Sequence, residues 1–285
     1  MSAAEQVVGF NCAGERLLGI AACPPAPRAV GVVIVVGGPQ YRAGSHRQFV
    51  VLARALAAGG YATLRFDVRG MGDATGARHG FAAIDEDIAA AIQALRRTVP
   101  QVQRVVLWGL CDGASAVLMY WQATRDAQVA GLCLANPWVR TEASQARVQV
   151  RHYYTQRLRD PAFWRKLLSG QVARSALGGL LRSIRAARSP AGTVQQPGFR
   201  QRMAEAWRHF TGPMLLLLSG RDLTAREFLD ATRQDPAWRG LLDRPGLQRV
   251  DLPDADHTFS DGPQCRQAEA ATLAWLDQHV GVPAR

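Results

Sequence analysis

Apolar residues follow two rhythms along the chain. Residues 31–36, 105–107, 131–135 and 214–219 are short, nearly unbroken apolar runs, the length of strands buried on both faces. Residues 61–66 and 247–252 read as two further strands, and residues 6–11 and 16–22 as a short antiparallel pair. Between the runs the spacing turns helical. Residues 45–58 bring Phe49, Leu52, Ala53 and Leu56 to one face and stop at Gly59-Gly60. Residues 85–99 extend a stripe made by Ile84, Ile88, Ile92 and Leu95, and residues 114–124, 225–234 and 264–280 predict three more helices. Strands alternating with helices predict an α/β fold, a mostly parallel sheet with helices on both faces. The alternation stops over residues 137–210, which hold helical spacing and no convincing strand, with a loop expected at 189–197. The expected organisation is a core built from 1–136 and 211–285, interrupted by a helical insert at 137–210.

Charge sharpens that division. The chain of 285 residues has a net charge of +11, and residues 137–210 hold 14 Arg or Lys against 3 Asp or Glu. The excess therefore lies in the insert, and the rest of the chain is neutral. Within it, residues 165–188 interleave Leu167, Leu168, Val172, Leu177, Leu180, Leu181 and Ile184 with six basic residues, the pattern of an amphipathic basic helix. Such a helix could pack its apolar face on the core as a lid, or meet an anionic membrane surface or an acidic carrier. No nucleic-acid-binding module accompanies the charge, and few aromatics are placed to stack on bases, so nucleic acid is not expected as a partner. No apolar run reaches the roughly 18 residues of a membrane span. Residues 1–5 are not basic and no signal-type apolar stretch follows, so the expected location is cytoplasmic, with peripheral contact at the inner membrane through the insert. The cysteines, Cys12, Cys23, Cys111, Cys133 and Cys265, are odd in number and widely spaced, which predicts neither a disulfide framework nor a metal site. Nothing calls for a cofactor.

One of these cysteines stands apart. Trp108-Gly109-Leu110-Cys111-Asp112-Gly113-Ala114 joins a strand to a helix. A turn that sharp strains its central residue and tolerates only small neighbours two positions away, which Gly109 and Gly113 supply. It also aims the sulfur at a helix N-terminus, where partial positive charge favours an anion. A nucleophile needs a base, and the base an orienting carboxylate. Asp222 follows the strand 214–219 and His257 follows the last strand, so Cys111, Asp222 and His257 are the candidate catalytic residues; Asp254 and Asp256 are rivals for orienting the histidine. An oxyanion hole needs two N–H donors. One is expected from Asp112. The other is expected from Gly37-Gly38-Pro39-Gln40-Tyr41; Pro39 has no N–H, which leaves Gln40, whose side chain could also touch substrate. His46 and Arg47 either reach the pocket mouth as substrate-binding residues or form a solvated helix start. Asp67-Val68-Arg69-Gly70-Met71-Gly72 reads as a structural turn.

From about residue 15 to 282 these pieces resemble the α/β-hydrolase superfamily, in the chain order nucleophile, acid, histidine. Gly37-Gly38-Pro39-Gln40-Tyr41-Arg42-Ala43-Gly44-Ser45-His46-Arg47-Gln48-Phe49 and Trp108-Gly109-Leu110-Cys111-Asp112-Gly113-Ala114-Ser115-Ala116 further resemble the type 1 hydrolases associated with the exosortase A system. That resemblance implies a link to exopolysaccharide and protein-sorting loci of Gram-negative bacteria. Dienelactone hydrolases also use cysteine at this turn, but they carry an acidic residue where this loop offers Gln40. A cysteine nucleophile implies an acyl-cysteine intermediate formed from an ester or thioester and passed to water or another acceptor. The competing expectation is a non-catalytic module that docks by its basic insert.

Overall fold

The computed structural model describes residues 3–38, 40–140 and 198–280. The chain divides into two compact units, Met1–Val139 with Pro197–Arg285, and Arg140–Gln196. The expected amphipathic helix at 165–188 and the loop at 189–197 lie outside the described residues.

The larger unit is built on strands β1 (Ala4–Cys12), β2 (Glu15–Cys23), β3 (Val30–Val35), β4 (Thr63–Phe66), β5 (Arg104–Leu110), β6 (Val129–Ala135), β7 (Met214–Ser219) and β8 (Leu247–Leu252). They form one sheet in the order β1-β2-β4-β3-β5-β6-β7-β8. β1 and β2 are antiparallel to each other, and β2 to β4; every other pairing is parallel. The helices are α1 (Gln48–Ala58), α2 (Asp85–Thr98), α3 (Asp112–Thr124), α4 (Phe199–His209), α5 (Leu223–Gln234) and α6 (Gly262–His279).

The unbroken apolar runs form strands with two buried faces, and the period-2 alternation of side chains sorts each run between two cores. Val33, Val35, Leu107, Leu132 and Leu216 pack with Ile88 and Leu95 of α2, Val117 of α3 and Trp207 of α4. Val32, Ile34, Val106, Trp108 and Leu217 pack on the other side with Phe49 and Leu56 of α1 and with Trp275 and Leu276 of α6. A slip of one residue in any central strand would exchange these sets.

Chain direction along the sheet reverses at β3, which lies between β4 and β5. The carboxyl ends of the parallel neighbours β3 and β5 therefore lie side by side at a switch point, where α/β sheets open a crevice.

Two local outcomes depart from the sequence pattern. The expected helix 45–58 is broken at its start: Ser45–Arg47 forms a separate tight turn with His46 at φ 52° and Arg47 at φ 61°, and the regular helix begins at Gln48. Phe199–His209, grouped with the insert by charge and spacing, belongs to the larger unit, with Met203, Ala204, Ala206 and Trp207 buried.

Candidate active site

β5 ends in a turn whose geometry follows from its glycines. Cys111 sits at φ 60°, ψ −124°, a conformation that costs a non-glycine residue about 1–3 kcal/mol and persists only when its surroundings force it. A Cβ on Gly109 would lie 2.5 Å from the Gly113 carbonyl carbon and 2.6 Å from Ala114 N, and one on Gly113 would strike the Val35 carbonyl oxygen. The strand and helix can approach this closely only without side chains there. The turn is fixed by main-chain bonds: Cys111 N–H donates to Ala135 O (2.9 Å), and Cys111 O accepts from Trp138 N (3.1 Å).

Asp222 ends the loop after β7 and caps α5. Its Oδ1 accepts from Thr224 N (2.9 Å) and its Oδ2 from Ala225 N (3.2 Å). The same Oδ2 meets His257 Nδ1 at 2.8 Å. Neither rival carboxylate makes that contact. Asp254 pairs with Arg221 at 3.3 Å, and Asp256 accepts from Thr258 N (3.1 Å) and Ser260 N (2.9 Å) within its own loop. With Nδ1 taken by Asp222, the other ring nitrogen is left for Cys111. The hydrogen bonds to Asp222 and to Cys111, in that order, push the His257 pKa up to about 10 against the opposing pull of burial.

Cys111 and His257 line one cavity of about 270 Å³, together with Gln40, Leu110, Asp112 and Trp138. The Asp112 side chain turns to the end of β3, where it accepts from Gly38 N–H. Burial pushes its carboxyl up, against the backbone N–H groups of Gly38, Asp112 and Gly113, which pull it down. Gln40 Oε1 accepts from Ser45 N at 3.3 Å. His46 and Arg47 are exposed and are not among the residues lining the cavity. The turn after β4 holds the neighbouring loop: buried Asp67 accepts from Arg42 N (2.6 Å) and Asp73 N (3.0 Å), while Arg69 Nη2 pairs with Asp87 Oδ2 of α2 at 2.8 Å. Among the described residues, no group of three or more His, Cys, Asp or Glu is arranged to hold a metal.

Two residues of this neighbourhood went unread in the sequence. Trp138 is one, a wall of the cavity whose carbonyl accepts from Ser115 Oγ at 2.6 Å. Asn136 is the other. Fully buried at φ 45°, it donates from Nδ2 to Ser219 Oγ (2.9 Å) and to the His257 carbonyl (3.3 Å), and its Oδ1 accepts from Ser219 N (2.8 Å). It ties the ends of β6 and β7 to the histidine loop. The available signal was an Asn-Pro step at a strand end, since Asn tolerates positive φ.

A parallel sheet, a strained strand-to-helix turn at its switch point, and a carboxylate–histidine pair beside that turn define a hydrolase scaffold. The chain belongs to the alpha/beta hydrolase family, whose model matches residues 32–270. No curated protein matches the sequence. Among solved structures, an esterase of Pyrococcus furiosus is similar with a TM-score of 0.66 and 14% identity, over 98% of this chain and 94% of that one. The ferulic-acid-bound esterase Est1E of Butyrivibrio proteoclasticus has a TM-score of 0.60 and 17% identity, over 95% and 98%. A Xanthomonas campestris protein described as an α/β serine hydrolase without a lid has a TM-score of 0.57 and 17% identity, over 99% and 96%. At these identities the likeness is one of fold.

Proposed function

We propose that the protein cleaves an ester or thioester through an acyl-cysteine intermediate, with Cys111 as nucleophile, His257 as proton carrier and Asp222 as its orienter. The observation that carries this reading is His257 Nδ1 at 2.8 Å from Asp222 Oδ2, with His257 and Cys111 lining the same cavity. In the first half-reaction the proton shared by the Cys111–His257 pair sits on the ring, whose pKa is pushed up to about 10, and Sγ bonds to the acyl carbon. The carbonyl π pair moves to oxygen and is held by N–H donors from Asp112 and Gln40. Collapse expels the alcohol or thiol, which takes its proton from His257. In the second half, His257 removes a proton from water, hydroxide adds to the thioester carbon, and Sγ leaves with the proton returned. An acceptor hydroxyl in place of water makes the same steps an acyl transfer. Amides fit less well, because thiolate leaves the tetrahedral intermediate more readily than an amine does. Several of the structurally similar proteins are esterases, which favours this chemistry over a docking module alone.

The test is intact-mass spectrometry after incubation with acyl thioesters, alongside p-nitrophenyl ester turnover. An acyl adduct on the wild-type chain, absent in Cys111→Ala together with at least a ~10³-fold loss of kcat, is expected, since removing a nucleophile leaves only the rest of the site. Equal turnover by both proteins rules the reading out.

Two finer assignments belong to the same proposal. The loop and elbow motifs support membership of the exosortase-associated hydrolases, acting in the cytoplasm. The 14 basic and 3 acidic residues of 137–210 support contact with an anionic membrane surface or an acidic acyl carrier. No helix among the described residues is long and apolar enough to cross a membrane, so such contact would be peripheral.

A further inference from the structure

An oxyanion needs two donors aimed at one point, and in the loop after β3 both the main-chain and the side-chain N–H groups of Gln40 are the candidates left. Gly38 N–H is committed to the Asp112 carboxylate. That commitment is built into the packing: a Cβ on Gly37 would lie 2.7 Å from Gly113 N and would strike Asp112 Oδ1, so the carboxylate is wedged against the strand end. The next residue, Pro39, has no N–H. Gln40 follows and lines the cavity with Cys111 and His257. Its carboxamide has a fixed polarity. Oε1 accepts from Ser45 N–H, so the opposite edge of the planar group is Nε2, which carries two N–H donors. Among the described residues those donors have no acceptor. A side chain needed only for its main chain would not require a carboxamide tethered by its oxygen beside the cavity.

We propose that the second oxyanion donor is the side-chain amide of Gln40, with Asp112 N–H as the first. The proposal rests on the reading of Cys111 as nucleophile and adds a catalytic contact to it. As Sγ bonds to the acyl carbon and the π pair moves to oxygen, that oxygen accepts from Gln40 Nε2–H and Asp112 N–H. On collapse the pair returns to the carbonyl and both donors are released unchanged.

Gln40→Ala keeps the main-chain N–H and removes the carboxamide. Gln40→Glu keeps an Oε1 for Ser45 and removes both side-chain donors. Both should lose kcat by about 10²–10³-fold with KM nearly unmoved, the loss found on removing one oxyanion donor. A reversible aldehyde analogue of the acyl group adds Sγ to its carbonyl carbon and places a charge-bearing oxygen at the same point. Its Ki in the two variants should rise by the factor by which kcat/KM falls, which a role in loop folding alone would not produce. Three results overturn the proposal. If both variants turn over like wild type while Cys111 is still acylated, the donor is the backbone and only this inference fails. If Gln40→Ala is impaired and Gln40→Glu is not, Gln40 is a tether for Ser45. If Cys111→Ala matches wild type, the nucleophile reading fails and this contact fails with it.

Discussion

Asp222 does two jobs with one carboxylate. By accepting from Thr224 N and Ala225 N it is held rigidly as the cap of α5, and from that position it meets His257. A fixed acceptor sets the ring orientation and raises its proton affinity. Replacing Asp222 with Asn keeps a capping oxygen and removes the charge. The His257 pKa, about 10 in the native protein, should then fall toward its ordinary value, as read by NMR titration of the ring protons. Activity should fall by about 10⁴-fold at most, the cost of the same change in a serine triad. The linkage has a definite sign. A histidine pKa raised by folding stabilises the native state fully below about 6.5, the ordinary value, and the contribution is lost as pH rises through about 10. Denaturant unfolding at pH 6 and pH 10 should show wild type losing stability that Asp222→Asn does not lose, over and above whatever both share. Cys111, Asp222 and His257 were legible as candidates because each lies in the loop that follows a separate strand, so local pattern plus chain order places them at one edge. Asn136 could not be found that way. Its partners are Ser219 and the His257 carbonyl, which become neighbours only once β6 and β7 pair.

The strands were the easiest elements to read, because an apolar run buried on both faces needs no knowledge of its partners. α4 was harder. Its composition is arginine-rich, and it was therefore grouped with the basic insert, yet its buried face is apolar: Met203, Ala204, Ala206 and Trp207. Composition averaged over a window hides a one-sided face, whereas helical spacing keeps it. Trp207 anchors this helix. Its indole packs edge-on against Trp238 at 5.4 Å and near Phe228 at 5.8 Å, and its Nε1 donates to the Leu241 carbonyl at 2.9 Å. Trp207→Ala should destabilise the fold by about 3–5 kcal/mol in denaturant titration, the range for deleting a buried large aromatic. Trp207→Phe, which keeps most of the ring but leaves the carbonyl without its donor, should cost less, about 1–3 kcal/mol. A loss under about 1 kcal/mol for Trp207→Ala would mean that α4 is not held by this cluster. The break before α1 went unread for a different reason. Left-handed backbone is expected at glycine, and here it falls on His46 and Arg47 after Gly44 at φ 73°.

Over the molecule as a whole, charge is concentrated in a stretch that contributes little to the described cavity. Of the described residues lining the Cys111 cavity only Trp138 falls within 137–210, the stretch whose net charge equals that of the entire protein, +11. With 14 basic residues against 3 acidic ones, the composition of this stretch favours an anionic partner. Near an anionic bilayer each basic residue contributes about 1 kcal/mol, and the attraction fades over a Debye length of about 10 Å at 0.1 M salt. The full-length protein should therefore float with phosphatidylglycerol vesicles at low salt and be released at high salt, while staying unbound to neutral phosphatidylcholine vesicles. Replacing Arg174, Arg182 and Arg185 together by Glu should weaken flotation by 100-fold or more, since three contributions of about 1 kcal/mol are removed and three repulsions added. Hydrolysis of a small soluble ester should survive in that variant, because none of the three lies among the residues assigned to the reaction. Failure of the wild-type protein to bind anionic vesicles at low salt would remove the membrane from the proposal and leave an acidic carrier as the partner to test. Loss of both flotation and ester hydrolysis in the triple variant would show instead that the charged segment and the catalytic unit do not act separately.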